Sequence, residues 1–185
     1  DHKRREYGGG AVHVCDNEFQ ATNCLFAGNR ASGLGASVHA HYGTARLINC
    51  TIYGETAQRG RKSPIAGNGT GRVFLYNSIV WCESTDEAFD FDDEATLEIS
   101  NCCVRRTKDL PNVTPLGPKL DGAETGDFRL AARSVCIDAG DAKYLPRDEF
   151  DLDRDGNTGE PLPFDLQGLP RVAGQAVDLG ALESQ

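Results

Sequence analysis

Asn23-Cys24-Leu25-Phe26, Asn49-Cys50-Thr51-Ile52, Asn77-Ser78-Ile79-Val80 and Asn101-Cys102-Cys103-Val104 set an Asn, usually followed by a thiol, at steps of 26, 28 and 24 residues. The flanking positions repeat with it. Phe19, Ala45, Val73 and Leu97 stand four residues before the Asn, and Ala21, Leu47, Leu75 and Ile99 two before. Cys24, Cys50, Ser78 and Cys102 follow it directly, and Phe26, Ile52, Val80 and Val104 come three after. Apolar residues at two-residue steps read as strands. The parity changes across the Asn, so one strand enters a corner, the Asn occupies it, and a second strand leaves with its small residue pointing inward. A unit of this size cannot bury its apolar face alone, whereas units stacked at the ~4.8 Å strand spacing can. The expected fold is all-β, a parallel β-helix of about five coils, over residues 8–110.

Stacked coils place equivalent side chains above one another. Asn23, Asn49, Asn77 and Asn101 are expected to form an amide ladder along the axis, and Cys24, Cys50 and Cys102 an internal column of thiols. Buried free Cys acts as a small hydrophobe. Few or no disulfides are therefore expected from the seven cysteines, with Cys15, Cys82, Cys103 and Cys136 the less constrained ones. No CxxC pair with zinc spacing is present.

The 185 residues fit one domain, with 21 Gly, no Met and a single Trp. A net charge of −9 argues against a nucleic-acid partner, since phosphate binding needs a basic face. No apolar run is long enough to span a membrane as a helix. Residues 1–7 read as a polar tail. The strand Gly9-Gly10-Ala11-Val12-His13-Val14 has a second copy in Gly35-Ala36-Ser37-Val38-His39-Ala40, which stacks His13 on His39 on the outer face beside His41, a trio able to hold a metal. Glu55 to Arg72 reads as a Gly-rich loop out of a corner, and Glu83 to Glu94 as an acidic corner loop with some capacity for calcium. Pro111, Pro115 and Pro118 end the regular pairing.

Gly9-Gly10-Ala11-Val12 followed by Phe26-Ala27-Gly28-Asn29 resembles the signatures of polymorphic outer-membrane protein repeats and related right-handed parallel β-helix proteins. The next coil keeps Gly35-Ala36 but has Ile52-Tyr53-Gly54-Glu55 in place of the second signature. The final section resembles the choice-of-anchor type of C-terminal region. It carries Gly126-Asp127-Phe128-Arg129-Leu130, Cys136-Ile137-Asp138-Ala139-Gly140-Asp141, Phe164-Asp165-Leu166-Gln167-Gly168-Leu169-Pro170-Arg171 and Val177-Asp178-Leu179-Gly180-Ala181-Leu182-Glu183. The resemblance implies a right-handed helix and a bacterial secreted or cell-surface protein, and the opening on Gly8-Gly9-Gly10-Ala11-Val12, in mid-coil, reads as the C-terminal part of a longer protein. Residues 111–185 are expected to hold the last strands and an Asp/Gly-rich cap over the final coil, with Asp138, Asp178 and Glu183 serving turns.

Asp151-Leu152-Asp153-Arg154-Asp155-Gly156 has the alternating carboxylates and turn glycine of a calcium loop. Asn157 can add an oxygen. Leu162 stands where an EF-hand has its bidentate Glu, so Glu160 or Asp165 would complete the shell. An enzyme reading requires two carboxylates across a scissile bond. The outward columns Gln20, Arg46, Phe74, Glu98 and Thr22, Ile48, Tyr76, Ser100 form no such acid pair, and polygalacturonase motifs are absent. Outward Tyr53, Phe74, Tyr76 and Trp81 offer a platform for sugar rings. The expected function is a structural or adhesive extracellular module binding a polysaccharide or another cell-envelope component. The alternatives are the C-terminal part of a polysaccharide lyase or glycoside hydrolase with its catalytic coils upstream, and a subunit whose open first coil stacks on a partner chain.

Overall fold

The computed structural model describes residues 8–57, 63–83, 87–105, 110 and 112–185. The expected polar tail at 1–7 lies outside them. The first coil comprises β1 (Val12–Cys15), β2 (Glu18–Thr22), β3 (Leu25–Ala27) and β4 (Arg30–Ala31). The second comprises β5 (Val38–His41), β6 (Thr44–Ile48), β7 (Thr51–Tyr53) and β8 (Thr56–Ala57). A third, β9 (Ile65–Asn68), β10 (Arg72–Tyr76) and β11 (Ile79–Trp81), and a fourth, β12 (Phe89–Phe91), β13 (Thr96–Ser100) and β14 (Cys102–Val104), complete the stack. Short β15 (Val113–Thr114), β16 (Leu120–Gly122) and β17 (Asp127–Leu130) follow. Strands of successive coils pair in parallel, giving sheets in the orders β1-β5-β9-β12, β2-β6-β10-β13 and β3-β7-β11-β14-β15.

The chain is thus a parallel β-solenoid of about three turns from β1 to β12, fewer than the five coils expected. The stack ends early because β15 is two residues long and β16 pairs antiparallel with β17 rather than adding a coil. Two segments expected as loops contain strands. Ile65–Asn68 inside the Gly-rich stretch pairs with β5, and Phe89–Phe91 inside the acidic stretch pairs with β9. Their Gly and Asp residues mask the alternation, yet Ile65 and Ala66 are fully buried.

The register follows the repeat residue by residue. Phe19, Ala45, Val73 and Leu97 form one column, Ala21, Leu47, Leu75 and Ile99 a second, and Phe26, Ile52, Val80 and Val104 a third. These columns meet in one core. Each fully buried residue such as Leu75 contributes about 1.5–3 kcal/mol. Asn23, Asn49, Asn77 and Asn101 have φ of 52°, 49°, 48° and 49°. This left-handed geometry costs most L-residues about 1–2 kcal/mol, and Asn is among the few that adopt it routinely. The period of the sequence is therefore the period of a backbone corner.

The column behind the corner is bonded internally. The Cys50 N–H donates to Ser78 Oγ (3.0 Å) and the Ser78 N–H to Cys102 Sγ (3.4 Å). All seven cysteines are free thiols, as expected.

The Asn amides do something other than ladder. Among the described residues, Asn77 alone of the four reaches another Asn, donating to Asn49 Oδ1 at 3.4 Å. Asn23, Asn49, Asn77 and Asn101 instead donate to the carbonyls of Phe164 (2.7 Å), Asp178 (3.1 Å), Asp141 (3.0 Å) and Ala139 (3.2 Å). The Asp141 N–H returns a bond to Asn77 Oδ1 (2.9 Å), and the Gly180 N–H one to the Asn77 carbonyl (2.8 Å). The C-terminal section is thus a strap along the corner, touching every coil, and not simply a cap over the last one. An Asn side chain turned outward at a corner has unused donors and acceptors, and the strap's backbone satisfies them.

The strap also covers the outward face of the third sheet. Ile79 and Cys103 pack with Leu130, Cys136 and Leu179 in a second core. Gly180 (φ 94°) lies so close that an added Cβ would sit 2.6 Å from Thr51 Oγ1 and 2.9 Å from Ile79 Cδ1.

Candidate functional site

Three groups of side chains bear on function: the strap's ionic centre, the outward aromatics and the acidic loop. The ionic centre is structural. Arg171 is 1% exposed, and its guanidinium donates to Asn23 Oδ1 (3.2 Å), the Gly180 carbonyl (3.1 Å), the Asp178 carbonyl (3.2 Å) and Glu183 Oε2 (2.7 Å). Glu183 also accepts from the Asp178 and Ala173 N–H groups. Asp178 accepts from the N–H groups of Asp138 and Ser184, and Asp138 from those of Gln175 and Ala176. Asp138, Asp178 and Glu183 therefore serve turns, as expected. Burial raises the Asp178 and Glu183 carboxyls above their ordinary range, against the lowering effect of these N–H donors and of Arg171.

The four expected platform aromatics split between two faces. Phe74 and Tyr76 lie on β10 in the second sheet and are already engaged. The Arg46 guanidinium sits 4.9 Å over the Phe74 ring, Tyr144 of the strap stacks on Tyr76 at 4.2 Å and 8°, and the Tyr76 hydroxyl donates to Glu98 (2.5 Å). Tyr53 and Trp81 lie in register on β7 and β11 of the third sheet. They border a groove of about 360 Å³ whose other wall is Gly117–Glu124, carrying Lys119, Asp121 and Glu124. The Tyr53 hydroxyl donates to Glu124 Oε1 (3.2 Å) and Phe128 packs edge-on against the Tyr53 ring at 5.7 Å. The wall residues were not legible as part of the site, because they lie after the last coil and β16 and β17 fold them back beside Trp81.

The acidic loop lies in the excursion between the strap contacts at Asp141 and Phe164. Ligand atoms of Asp151, Asp153 and Asp155 lie within 4.8 Å of one another, and so do those of Asp148, Asp153 and Glu160. The sequence pattern contains the first trio. Asp148, three residues ahead of the motif, was missed. Partial burial raises the Glu160 carboxyl, with neighbouring Asp155 and Asp153 adding to the effect. Asn157 donates its Nδ2 to Glu160 Oε2 (3.2 Å) and accepts the Gly159 N–H on its Oδ1, so its side chain positions the loop. Asp165 is not brought to this group. Its oxygens take the N–H groups of Gln167, Leu169 and Glu183 at the base of the strap.

The imidazoles of His13, His39 and His41 do come together, with ring centroids 4.9 to 6.3 Å apart. His39 is 1% exposed rather than outward, because Gly8 packs against its ring. Asn68 Oδ1 lies 2.8 Å from His39 Nε2 and 2.7 Å from His41 Nδ1, so two of the three rings share one amide oxygen. In the acidic stretch, Asp92 ties its own turn through the N–H groups of Gly69, Glu94 and Ala95; Asp86 lies outside the described residues. Among the described residues, only the two acidic trios place three ligand atoms within metal-binding reach.

Compared with known proteins, the chain matches no family model, and neither a curated protein nor a solved structure is similar to it. The parallel β-solenoid is the level of identity that the structure carries. No helix among the described residues is long and apolar enough to cross a membrane.

Proposed function

We propose that this chain is a binding module of a bacterial secreted or cell-surface protein, of the polymorphic outer-membrane repeat and choice-of-anchor kind, that holds a polysaccharide chain against the flank of its solenoid. The observation that carries the reading is the groove at Tyr53 and Trp81. Two rings on adjacent coils offer apolar faces to the C–H faces of sugars, while Lys119, Asp121 and Glu124 opposite offer partners for hydroxyl groups. Its volume suits a short saccharide, at the small end of ligand sites. The groove is built on a rigid sheet, which holds the two rings at fixed spacing.

Trp81 is the single Trp of the chain, so its fluorescence reports on this groove alone. Titration with oligosaccharide fragments of cellulose, chitin, pectin and alginate is expected to give a saturable change for at least one of them. Calorimetry should then show Trp81→Ala losing more than about tenfold in affinity, or 1.4 kcal/mol, with Phe74→Ala unchanged. A panel with no saturable response, or a loss on Phe74→Ala equal to that on Trp81→Ala, overturns the reading.

A further inference from the structure

We infer that the excursion carrying Asp148, Asp151, Asp153, Asp155 and Glu160 is a calcium site whose buried anchor is Asp148. Asp148 has no exposed surface. Its Oδ2 accepts the Leu152 N–H at 2.7 Å, whereas its Oδ1 has no hydrogen-bond partner among the described residues. A buried carboxylate oxygen with nothing to bond is costly unless a cation or proton meets it. Ligand oxygens of Asp153 and Glu160 lie within 4.8 Å of Asp148's, and Asp153 belongs equally to the trio with Asp151 and Asp155. The two trios share Asp153, which joins the buried Asp148 to the exposed loop carboxylates in one acidic cluster.

Those carboxylates are set in place by backbone. Asp151 Oδ1 takes the Gly156 N–H (3.1 Å), Asp153 Oδ1 that of Asp155 (3.3 Å), and Asp155 Oδ1 that of Asn157 (2.7 Å). Among the described residues, none of the five forms an ion pair with Lys or Arg.

The donor chemistry selects the ion. Every ligand is a carboxylate oxygen, which suits a hard cation and not zinc or copper. Two carboxylate trios joined at Asp153 suit calcium, which takes six to eight oxygens in flexible geometry, better than magnesium, which keeps most of its water. The site has a structural consequence as well. The excursion joins the strap contact at Asn77 to that at Asn23, so an ion here would fix the return path of the strap.

The test uses the whole chain, freed of metal by chelation. Calorimetric titration with calcium chloride is expected to show one saturable site, and calcium at millimolar concentration to raise Tm, with magnesium giving little of either. Asp148→Asn keeps the shape and removes the buried charge. It should raise Tm of the metal-free protein, weaken calcium binding by about tenfold or more, and abolish most of the calcium-dependent rise. Asp153→Asn/Asp155→Asn, altered at exposed positions, should fold normally and lose the site. No heat and no change in Tm with calcium overturns the inference. So does an Asp148→Asn protein that binds calcium as tightly as the parent, or a magnesium response equal to that of calcium.

Discussion

Replacing Arg171 by Met leaves the Glu183 carboxylate buried without its cation. The pair is 2.7 Å apart, with side chains 1% and 0% exposed. Removing one member of such a pair costs about 3–5 kcal/mol, because the remaining charge stays desolvated. Asn23 Oδ1 and two carbonyls lose their donor at the same time. The loss should depend on pH. Glu183 is already shifted upward by burial, and without the guanidinium it shifts further. A carboxyl whose pKa is raised by folding contributes most below its unfolded pKa, and that contribution fades as pH rises through the folded one. Arg171→Met should therefore be most destabilising near about pH 8 and recover part of the loss near about pH 5. Urea midpoints at the two pH values measure this, and limited proteolysis of residues 131–165 shows whether the strap opens before the coils. Arg171→Met/Glu183→Met, which leaves no charge, should restore most of the stability. A loss below about 1 kcal/mol at the higher pH, or a double variant no better than the single one, would refute the reasoning.

Two further predictions concern the corners. Asn77→Ala forfeits the side-chain bonds to Asp141 and imposes left-handed strain, for an expected loss of about 3–4 kcal/mol, whereas Asn77→Gly should be the better of the two by about 1 kcal/mol because Gly carries no such strain. Equal urea midpoints for the two variants would show that the corner does not select Asn for its backbone. Glu55 is fully buried, accepts from Asn29 (3.0 Å) and Ser37 (3.4 Å), and is pushed up by desolvation to about 7 from 4.5. Its contribution is complete below the lower value and disappears as pH rises through the upper one, up to about 3 kcal/mol in all. Glu55→Gln should remove that slope from the pH profile of the urea midpoint, and a difference between the two proteins that does not vary with pH would contradict it.

The Asn corners were legible because they answer to a local rule. A left-handed residue between two alternating segments repeats with the coil, so period and parity gave three core columns and their register. The strands at Ile65–Asn68 and Phe89–Phe91 were not legible, because each is a short apolar stretch set among the Gly or acidic residues of its segment, although Ile65, Phe89 and Phe91 reach the core. The strap was half visible. Ile79 and Cys103 stand at outward positions yet are apolar, which signals that something covers them. What covers them depends on contacts such as Asn49 to Asp178, 129 residues apart, that no periodicity encodes. Arg171 reads as an ordinary charge in a polar tail, and only the fold shows it buried. The groove was legible in Tyr53 and Trp81 but not in its far wall, and the acidic loop in its motif but not in Asp148, whose burial depends on tertiary packing.

The central structural claim is that the segments 139–141, 164–171 and 178–183 lie along the Asn corner of the solenoid. Amide hydrogen exchange followed by NMR tests it most directly. The N–H groups of Asp141, Leu179, Gly180 and Ala181, which donate to Asn77 Oδ1, the Cys136 carbonyl, the Asn77 carbonyl and Thr51 Oγ1, should exchange as slowly as the coil amides of Asn49 and Asn77. Exchange of those four at the rate of an open chain, while the coils stay protected, would contradict it.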